Sequence, residues 1–174
     1  MAVNKKLAIF DLDHTILKCN SDHSWLDYLI NKGFIKREEY FEQNAEFQKK
    51  FREGNVNYKD YYEFTIQYLK DNSDDYISDI RSDFMKEIIE PSINIYALRL
   101  IHKHYEKDEE LLLASGTTSI IAGPIAKRLE FKNVVCTTCE KENNIYTGRI
   151  EDLSLIHISE PTRPERIAYA GLCV

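Results

Sequence analysis

Two aspartates, Asp11 and Asp13, stand two residues apart directly after a short apolar run from Lys6 to Phe10. Alternate side chains of an extended backbone point the same way, so both carboxylates are expected on one side of the chain. Carboxylates this close repel each other unless a proton or a cation lies between them, and paired carboxylate oxygens suit Mg²⁺. One carboxylate could attack phosphorus while the other protonates the leaving alcohol and then activates water. The alternative is that both are turn or helix-capping residues.

A strand is expected to position these carboxylates. The apolar run before Asp11 is typical of a buried parallel strand, and a second run, Leu111 to Ala114, ends at Ser115 and Gly116. Ligands of parallel sheets bind beyond the carboxyl ends of the strands, so Asp11 and Ser115 are expected at the same edge. For Ser115 the alternative is a helix cap.

The region between the two strands has helical periodicity. Apolar residues from Ser21 to about Glu90 recur at helical spacing, and Gly33, Gly54 and the pair Asn72-Ser73 interrupt them. This pattern predicts an all-helical insertion of about four helices. Two helices are expected after it: Ile93 to His104, which Pro91 opens, and Thr118 to Leu129, which Pro124 bends unless the helix begins just before that proline. A strand from Asn133 to Thr137 and, after Asn143-Asn144, an extended segment from Ile145 to Ile150 are also expected.

This order of elements predicts an α/β fold, with a Rossmann-like parallel sheet and a helical cap inserted after strand one. Residues 1–20 and 91–152 would form the core, and residues 21–90 would form the cap.

Two segments resemble motifs of the haloacid dehalogenase superfamily. AIFDLDHTIL is similar to its first motif, an apolar strand followed by Asp-x-Asp-x-Thr, and LLLASGTT is similar to its second. The resemblance implies that Asp11 is the nucleophile, Asp13 the acid/base, and that both hold Mg²⁺. It further implies that Thr15 supports the loop and the phosphate site, and that Ser115 and Gly116 bind the phosphoryl group.

Further segments resemble the branch of this superfamily that holds phosphoserine and histidinol-phosphate phosphatases: SDHSWLDYLINKGFI, IAGPIAKRLEF and ENNIYTGRI. This implies a magnesium-dependent phosphomonoester hydrolase that acts on a small metabolite through an aspartyl-phosphate, with the cap excluding water and setting specificity. Asp22 could hold a substrate ammonium, although an exposed helix-capping role is the alternative. Phosphoryl transfer to another acceptor, or a non-catalytic binding module that uses the cap, are the competing functions.

Composition limits the partners. The 174 residues have a formal net charge of −6 and a pI near 5.4, which disfavours nucleic-acid binding. No apolar run approaches a membrane span, and no secretory signal is evident. The expected partner is a small phosphorylated metabolite in the cytoplasm, with no nucleic acid, membrane or protein partner indicated. Cys136 and Cys139 have the spacing of half a zinc site, but no second pair accompanies them.

The C-terminal residues 153–174 do not fit the resemblance. The superfamily requires a later lysine and a late acidic pair, yet no lysine and no aspartate follow Asp152. Leu153 to Arg163, LSLIHISEPTR, resembles a translated sequencing-library adapter, so we expect a chain truncated at Asp152 with a non-native tail and no activity. A natural variant terminus is the alternative. Amplification of the locus from source DNA tests this expectation, because a native reading frame through LSLIHISEPTR would contradict it.

Overall fold

The fold is described by a computed structural model that covers residues 6–153. The predicted non-native tail, apart from Leu153, lies outside the described residues.

A four-stranded sheet forms the core, with strand order β1-β2-β3-β4. β1 pairs with β2 and β2 with β3 in parallel, while β3 and β4 are antiparallel. The predicted α/β fold with its largely parallel sheet is confirmed. The strands are β1 (Leu7–Phe10), β2 (Glu110–Thr118), β3 (Asn133–Glu142) and β4 (Ile145–Asp152).

A tight hairpin joins β3 and β4, and the sequence did not reveal this pairing. Asn143 and Asn144 both have positive φ, 50° and 66°. Two successive residues of this kind are typical of a type I′ turn, whose twist matches that of the strands beside it. The pairing carries β3 beyond its apolar residues to the charged Glu142, which is why β3 is longer than predicted.

The described chain also contains helices, most of them between β1 and β2. Pro91 does not open a helix as predicted, because it lies near the end of a helical run that continues from Asp74 to Ser92. The next helix begins at Ile95, two residues later than predicted, and the side chain of Asn94 caps it. The helices are α1 (Ser21–Asn31), α2 (Arg37–Arg52), α3 (Tyr58–Thr65), α4 (Asp74–Phe84), α5 (Glu90–Ser92), α6 (Ile95–Glu106) and α7 (Ser119–Arg128).

The helices of the insertion connect to the sheet through two adjacent segments. Leu17 and Ile93 form an antiparallel bridge. The Lys18 amide donates to the Ser92 carbonyl at 2.9 Å, and the Asn94 amide donates to the Ile16 carbonyl at 2.8 Å. The chain therefore leaves the sheet and returns to it at the same place.

The hairpin packs on the inserted helices as well as on the sheet. The Asp71 amide donates to the Tyr146 carbonyl at 2.9 Å, and the Tyr146 amide donates to the Asn72 carbonyl at 3.0 Å. The Tyr146 hydroxyl donates to Asp74 Oδ1 at 2.6 Å, and Gln67 Nε2 donates to the Gly148 carbonyl at 3.2 Å. The hairpin thus joins the insertion to the sheet at a second place.

Helix α7 contains Pro124. Proline has no amide hydrogen, so the carbonyl of Ile120, four residues earlier, loses its helical partner. Arg81 of α4 supplies the missing donor, with its Nη1 3.2 Å from that carbonyl oxygen. A side chain from the insertion therefore completes the backbone hydrogen bonding of a core helix.

Strand β1 forms an edge of the sheet. Among the described residues it pairs with β2 alone, and Leu7 and Ile9 are 52% and 62% exposed. Phe10 and Leu12 at its carboxyl end are buried. Within residues 6–153, no helix has both the length and the apolar character that crossing a bilayer requires.

Candidate active site

A cavity of about 260 Å³ opens at the carboxyl ends of β1 and β2. Of the site residues that the sequence predicts, Thr15 is absent from its lining and the others are present. Helices α1 and α3 supply the opposite wall. The lining residues are Asp11, Asp13, Asn20, Asp22, His23, Leu26, Tyr61, Tyr62, Thr65, Ser115, Gly116 and Thr117.

The first carboxylate, Asp11, begins a tight turn after β1. Leu12 and Ile16 are fully buried and anchor this turn, and His14 between them has a positive φ of 57°. The turn brings the Thr15 hydroxyl to 3.3 Å from Asp11 Oδ2, to which it donates. Thr15 therefore orients Asp11 and does not itself face the cavity.

The second carboxylate, Asp13, accepts hydrogen bonds on both oxygens. The amide and hydroxyl of Ser21 donate to its Oδ1 at 2.9 and 2.6 Å, and the Thr117 hydroxyl donates to its Oδ2 at 3.2 Å. Ser21 is the first residue of α1, where the helix dipole favours negative charge. Asp13 is thus fixed between the insertion and β2.

Ser115 lies within β2 and not at the start of a helix. Helix α7 begins at Ser119, so the alternative of a helix cap at Ser115 is wrong. Ser115 is 2% exposed, and its Oγ lies 3.0 Å from the Thr117 hydroxyl and accepts from the Thr117 amide at 3.2 Å. The strand continues past Ala114 through these polar residues because side-chain hydrogen bonds satisfy them inside the protein.

Gly116 leaves room between β2 and the insertion. A Cβ at this position would lie 3.2 Å from the Tyr62 hydroxyl, closer than ordinary van der Waals contact. The Gly116 carbonyl accepts from the Thr137 hydroxyl at 2.8 Å. The glycine therefore allows α3 to approach the end of β2.

Asp22 connects α1 to the start of α7. Its Oδ1 accepts from the Thr118 hydroxyl at 2.7 Å, and its Oδ2 accepts from the Thr118 amide at 3.1 Å. Asn20 caps α1 instead, so the alternative of Asp22 as an exposed helix cap is wrong. Burial raises the pKa of Asp22 from 3.8 to about 6, because desolvation outweighs the hydrogen bonds from Thr118.

The wall from the insertion is aromatic. His23, Tyr61 and Tyr62 line the cavity, and His23 Nε2 lies 3.5 Å from the Tyr61 hydroxyl. Desolvation raises the pKa of Tyr62 to about 12, so its phenol stays neutral at physiological pH. Helix α2 has no buried residue and packs through stacked rings, with Tyr40 and Phe47 against Phe64 of α3.

Sequence reasoning missed Ser21 and Thr117, which hold Asp13. Both are small hydroxyl residues, 8 and 104 positions from Asp13. Their only signal is a position next to residues that were recognised, Asp22 for Ser21 and Gly116 for Thr117. Burial with a carboxylate partner distinguishes them from ordinary surface hydroxyls.

The site offers oxygen ligands, the type that Mg²⁺ prefers. Asp11 and Asp13 supply carboxylates. Ser21 uses both lone-pair directions of Asp13 Oδ1, whereas Asp11 Oδ2 and Asp13 Oδ2 each accept one hydrogen bond and keep a second direction. No group of three or more His, Cys, Asp or Glu positioned to hold a metal ion occurs within residues 6–153. The donor set therefore fits Mg²⁺ in chemistry and supplies part of its coordination.

The two cysteines with half-zinc spacing lie apart from the cavity lining. Cys136 is half-buried and Cys139 is buried, and desolvation raises the pKa of Cys139 to about 12. Arg149 forms surface ion pairs with Glu140 at 2.7 Å and Glu142 at 3.4 Å.

A largely parallel sheet, with paired carboxylates after one strand and a Ser-Gly-Thr segment at the end of the next, has the α/β architecture in which ligands bind at the carboxyl ends of the strands. The chain belongs to the haloacid dehalogenase-like hydrolase family, whose model matches residues 8–168.

One curated relative is the histidinol-phosphatase of Neisseria meningitidis serogroup C (strain 8013). It is 32% identical over 145 residues, which make up 83% of this chain and 65% of the relative. The chain therefore spans slightly less than two thirds of that relative's length.

Solved structures share the fold. A protein of unknown function from Bordetella pertussis Tohama I aligns with a TM-score of 0.78 and 29% identity, over 86% of this chain and 67% of its own. A phosphoserine phosphatase with an analogue of its phospho-aspartyl intermediate aligns with a TM-score of 0.56 and 19% identity, over 87% and 66%.

Proposed function

We propose that this site belongs to a phosphomonoester hydrolase that acts on a small metabolite through an aspartyl-phosphate at Asp11. The proposal rests on one observation. Asp11 and Asp13 follow β1 and Ser115 lies in β2, yet all three residues line one small cavity. Membership of the hydrolase family and the histidinol-phosphatase relative support a phosphatase.

In the first step, a carboxylate oxygen of Asp11 attacks the phosphorus atom, and the bond from phosphorus to the ester oxygen breaks. The Thr15 hydroxyl donates to Oδ2 of Asp11, and Oδ1 is proposed as the attacking oxygen. The carboxyl group of Asp13 gives its proton to the departing alcohol oxygen.

In the second step, Asp13 takes a proton from water as the water attacks the aspartyl-phosphate. The acyl–phosphate bond breaks, orthophosphate leaves, and Asp11 returns as a carboxylate. Both steps require the same orientation of Asp13, and its bonds to Ser21 and Thr117 support that orientation.

The phosphoryl group is proposed to bind at Ser115 and Gly116, at the end of β2. The Ser115 hydroxyl can turn toward a phosphoryl oxygen, and both residues line the cavity. Mg²⁺ held by Asp11 and Asp13 would neutralise charge on the phosphoryl oxygens.

The proposed substrates follow from the named relatives and from Asp22. Histidinol phosphate and phosphoserine are small phosphomonoesters that also carry an ammonium group. Asp22 lines the cavity with a half-buried carboxyl, and a substrate ammonium would stabilise its charged form. We propose Asp22 as the partner of that ammonium.

We further propose that the 174-residue chain alone does not turn over substrate. No lysine or arginine lines the cavity in the part of the chain that the structure describes, so negative charge on the transferring phosphoryl group is poorly neutralised. The expected result is no magnesium-dependent hydrolysis of p-nitrophenyl phosphate. Turnover comparable with that of a full-length relative would contradict this expectation.

The phosphatase function is tested with the protein encoded by the locus as recovered from source DNA. We expect it to release phosphate from histidinol phosphate or phosphoserine with Mg²⁺ and not with EDTA. Asp11→Asn should lower the rate by about a thousandfold or more, and acid-quenched parent protein should carry a phosphoryl group on the peptide that contains Asp11. Full activity in Asp11→Asn would refute the mechanism.

A further inference from the structure

A groove of about 680 Å³ lies between α7 and the helical run that begins with α4 and continues through Met85–Ile89. It shares no lining residue with the catalytic cavity. Its floor includes Met85, Gly123 and Pro124, and nothing lies within 4 Å of the position that a Cβ of Gly123 would take. The glycine therefore keeps the middle of the groove open.

Four cationic side chains line this groove, Arg81, Lys86, Lys127 and Arg128, against two glutamates, Glu90 and Glu130. The chain as a whole has a net charge of −6, so this concentration of positive charge is a local feature. The groove carries a formal excess of two positive charges, which favours an anionic ligand.

The cations differ in how far other groups already neutralise them. Arg128 binds Glu90 through two nitrogens, at 2.6 and 3.3 Å. Lys86 Nζ lies 3.7 Å from Asp83 Oδ1, and because both side chains are exposed, the attraction between them is weak. Lys127 is exposed and pairs with no carboxylate among residues 6–153. Lys127 and Lys86 are therefore the charges available to a ligand.

Arg81 adds directional donors at the end of the groove. Its Nη1 bonds the Ile120 carbonyl, and a guanidinium has five N–H donors in all. Ser78 and Ser82 also line the groove and provide hydroxyl donors. Planar guanidinium, ammonium and hydroxyl donors around one groove match the oxygens of phosphate groups.

We propose that this groove binds a small molecule carrying two or more phosphate groups, at a site separate from the catalytic cavity. A small ligand fits better than a nucleic acid, because the cations converge on one groove while the rest of the acidic chain repels an extended polyanion.

The ligand would also act on the start of α7, through Arg81. Arg81 replaces the hydrogen bond that Pro124 removes, and Ile120 lies two residues after Thr118, which binds Asp22 in the catalytic cavity. A phosphate group that draws Arg81 away from Ile120 would loosen the first turn of α7. Binding at the groove and the position of Asp22 are thereby linked.

The test is titration calorimetry of the 174-residue chain with pyrophosphate in EDTA, which removes Mg²⁺ and prevents hydrolysis. We expect saturable binding at one site, weakened about tenfold or more in Lys127→Glu. Lys107→Glu makes the same change of charge at a residue that does not line the groove and should leave the affinity unchanged. Gly123→Met fills the groove without a change of charge and should abolish binding, with circular dichroism confirming that the variant is folded.

Three results would overturn the proposal. One is no saturable binding at millimolar pyrophosphate. Another is an equal loss of affinity in Lys107→Glu and Lys127→Glu, which would mean nonspecific attraction. The third is loss of binding in Ser115→Ala with retention in Lys127→Glu, which would place the pyrophosphate in the catalytic cavity.

Discussion

The hydroxyl of Ser21 lies 2.6 Å from Asp13 Oδ1, and the amide of the same residue lies 2.9 Å from that oxygen. One residue at the start of α1 therefore makes two hydrogen bonds to a carboxylate that follows β1. Because Ser21 is fully buried, water cannot replace its hydroxyl if that group is removed.

Ser21→Ala should destabilise the chain by about 1–3 kcal/mol, because Asp13 loses a charged hydrogen bond and keeps only the backbone one on Oδ1. Urea unfolding at pH 7 measures the change. Ser24→Ala is the matched control, since the Ser24 hydroxyl bonds only the Asn20 carbonyl of the same helix, at 2.8 Å. An equal loss of stability in both variants would show that the bond to Asp13 contributes no more than the Ser24 bond to Asn20.

Asp22→Asn should increase the free energy of unfolding relative to the parent, and this increase should be larger at pH 7 than at pH 4. The folded-state pKa of Asp22 is raised from 3.8 to about 6, so the folded protein holds the proton more strongly than the unfolded chain. Its contribution to stability is present below about pH 4 and is lost as the pH rises through about 6. The loss is at most about 3 kcal/mol, and water in the cavity reduces it.

The measurement for Asp22 is urea unfolding of parent and variant at both pH values, with the difference taken at each. Asp27→Asn, on the exposed face of the same helix, controls for the change in net charge. A difference between Asp22→Asn and parent that does not vary with pH would contradict the prediction.

Arg81 and Pro124 should be energetically coupled. Arg81→Met leaves the Ile120 carbonyl without its donor and should cost about 1–2 kcal/mol. In a Pro124→Ala background the restored amide can bond that carbonyl, so the same substitution should cost less. A double-mutant cycle should give a coupling energy of about 0.5–1.5 kcal/mol. If the two effects were strictly additive, Arg81 would not be replacing the amide donor that Pro124 lacks.

Ile9→Lys should reduce self-association of the chain. Leu7 and Ile9 are exposed side chains on one face of an edge strand, and such edges pair readily with other chains. Light scattering across a concentration series should show less association for the variant than for the parent. Leu100→Lys replaces a similarly exposed residue, 47% accessible, on helix α6 and should have a smaller effect.

The sequence predicts the elements well where apolar periodicity defines them. Strands β1 and β2 begin in apolar runs, and the region after Ser21 is helical, as its spacing indicates. The end of β2 was missed because Ser115 to Thr118 are polar and have no periodicity, although hydrogen bonds with Asp13 and Asp22 hold them in the strand.

The features of the site that the sequence did not predict depend on contacts between residues far apart in the chain. The two carboxylates were recognisable because they are near each other in the chain. The partner of Asp13 in β2, Thr117, is 104 residues away, and no local pattern connects them. The contact of Asp22 with Thr118 was missed for the same reason, because the local sequence of Asp22 is equally compatible with capping α1.

The hairpin of β3 and β4 has a consequence for the motions of this protein. Its hydrogen bonds to Asp71, Asn72 and Asp74 join it to the inserted helices, while β3 remains paired with β2. In amide hydrogen exchange, α3, α4 and the hairpin should therefore open together as one foldon, although they are separated in the chain by β2. A movement that draws α3 away from the end of β2 should then bend β3 itself, near the point where it leaves the parallel sheet and enters the hairpin.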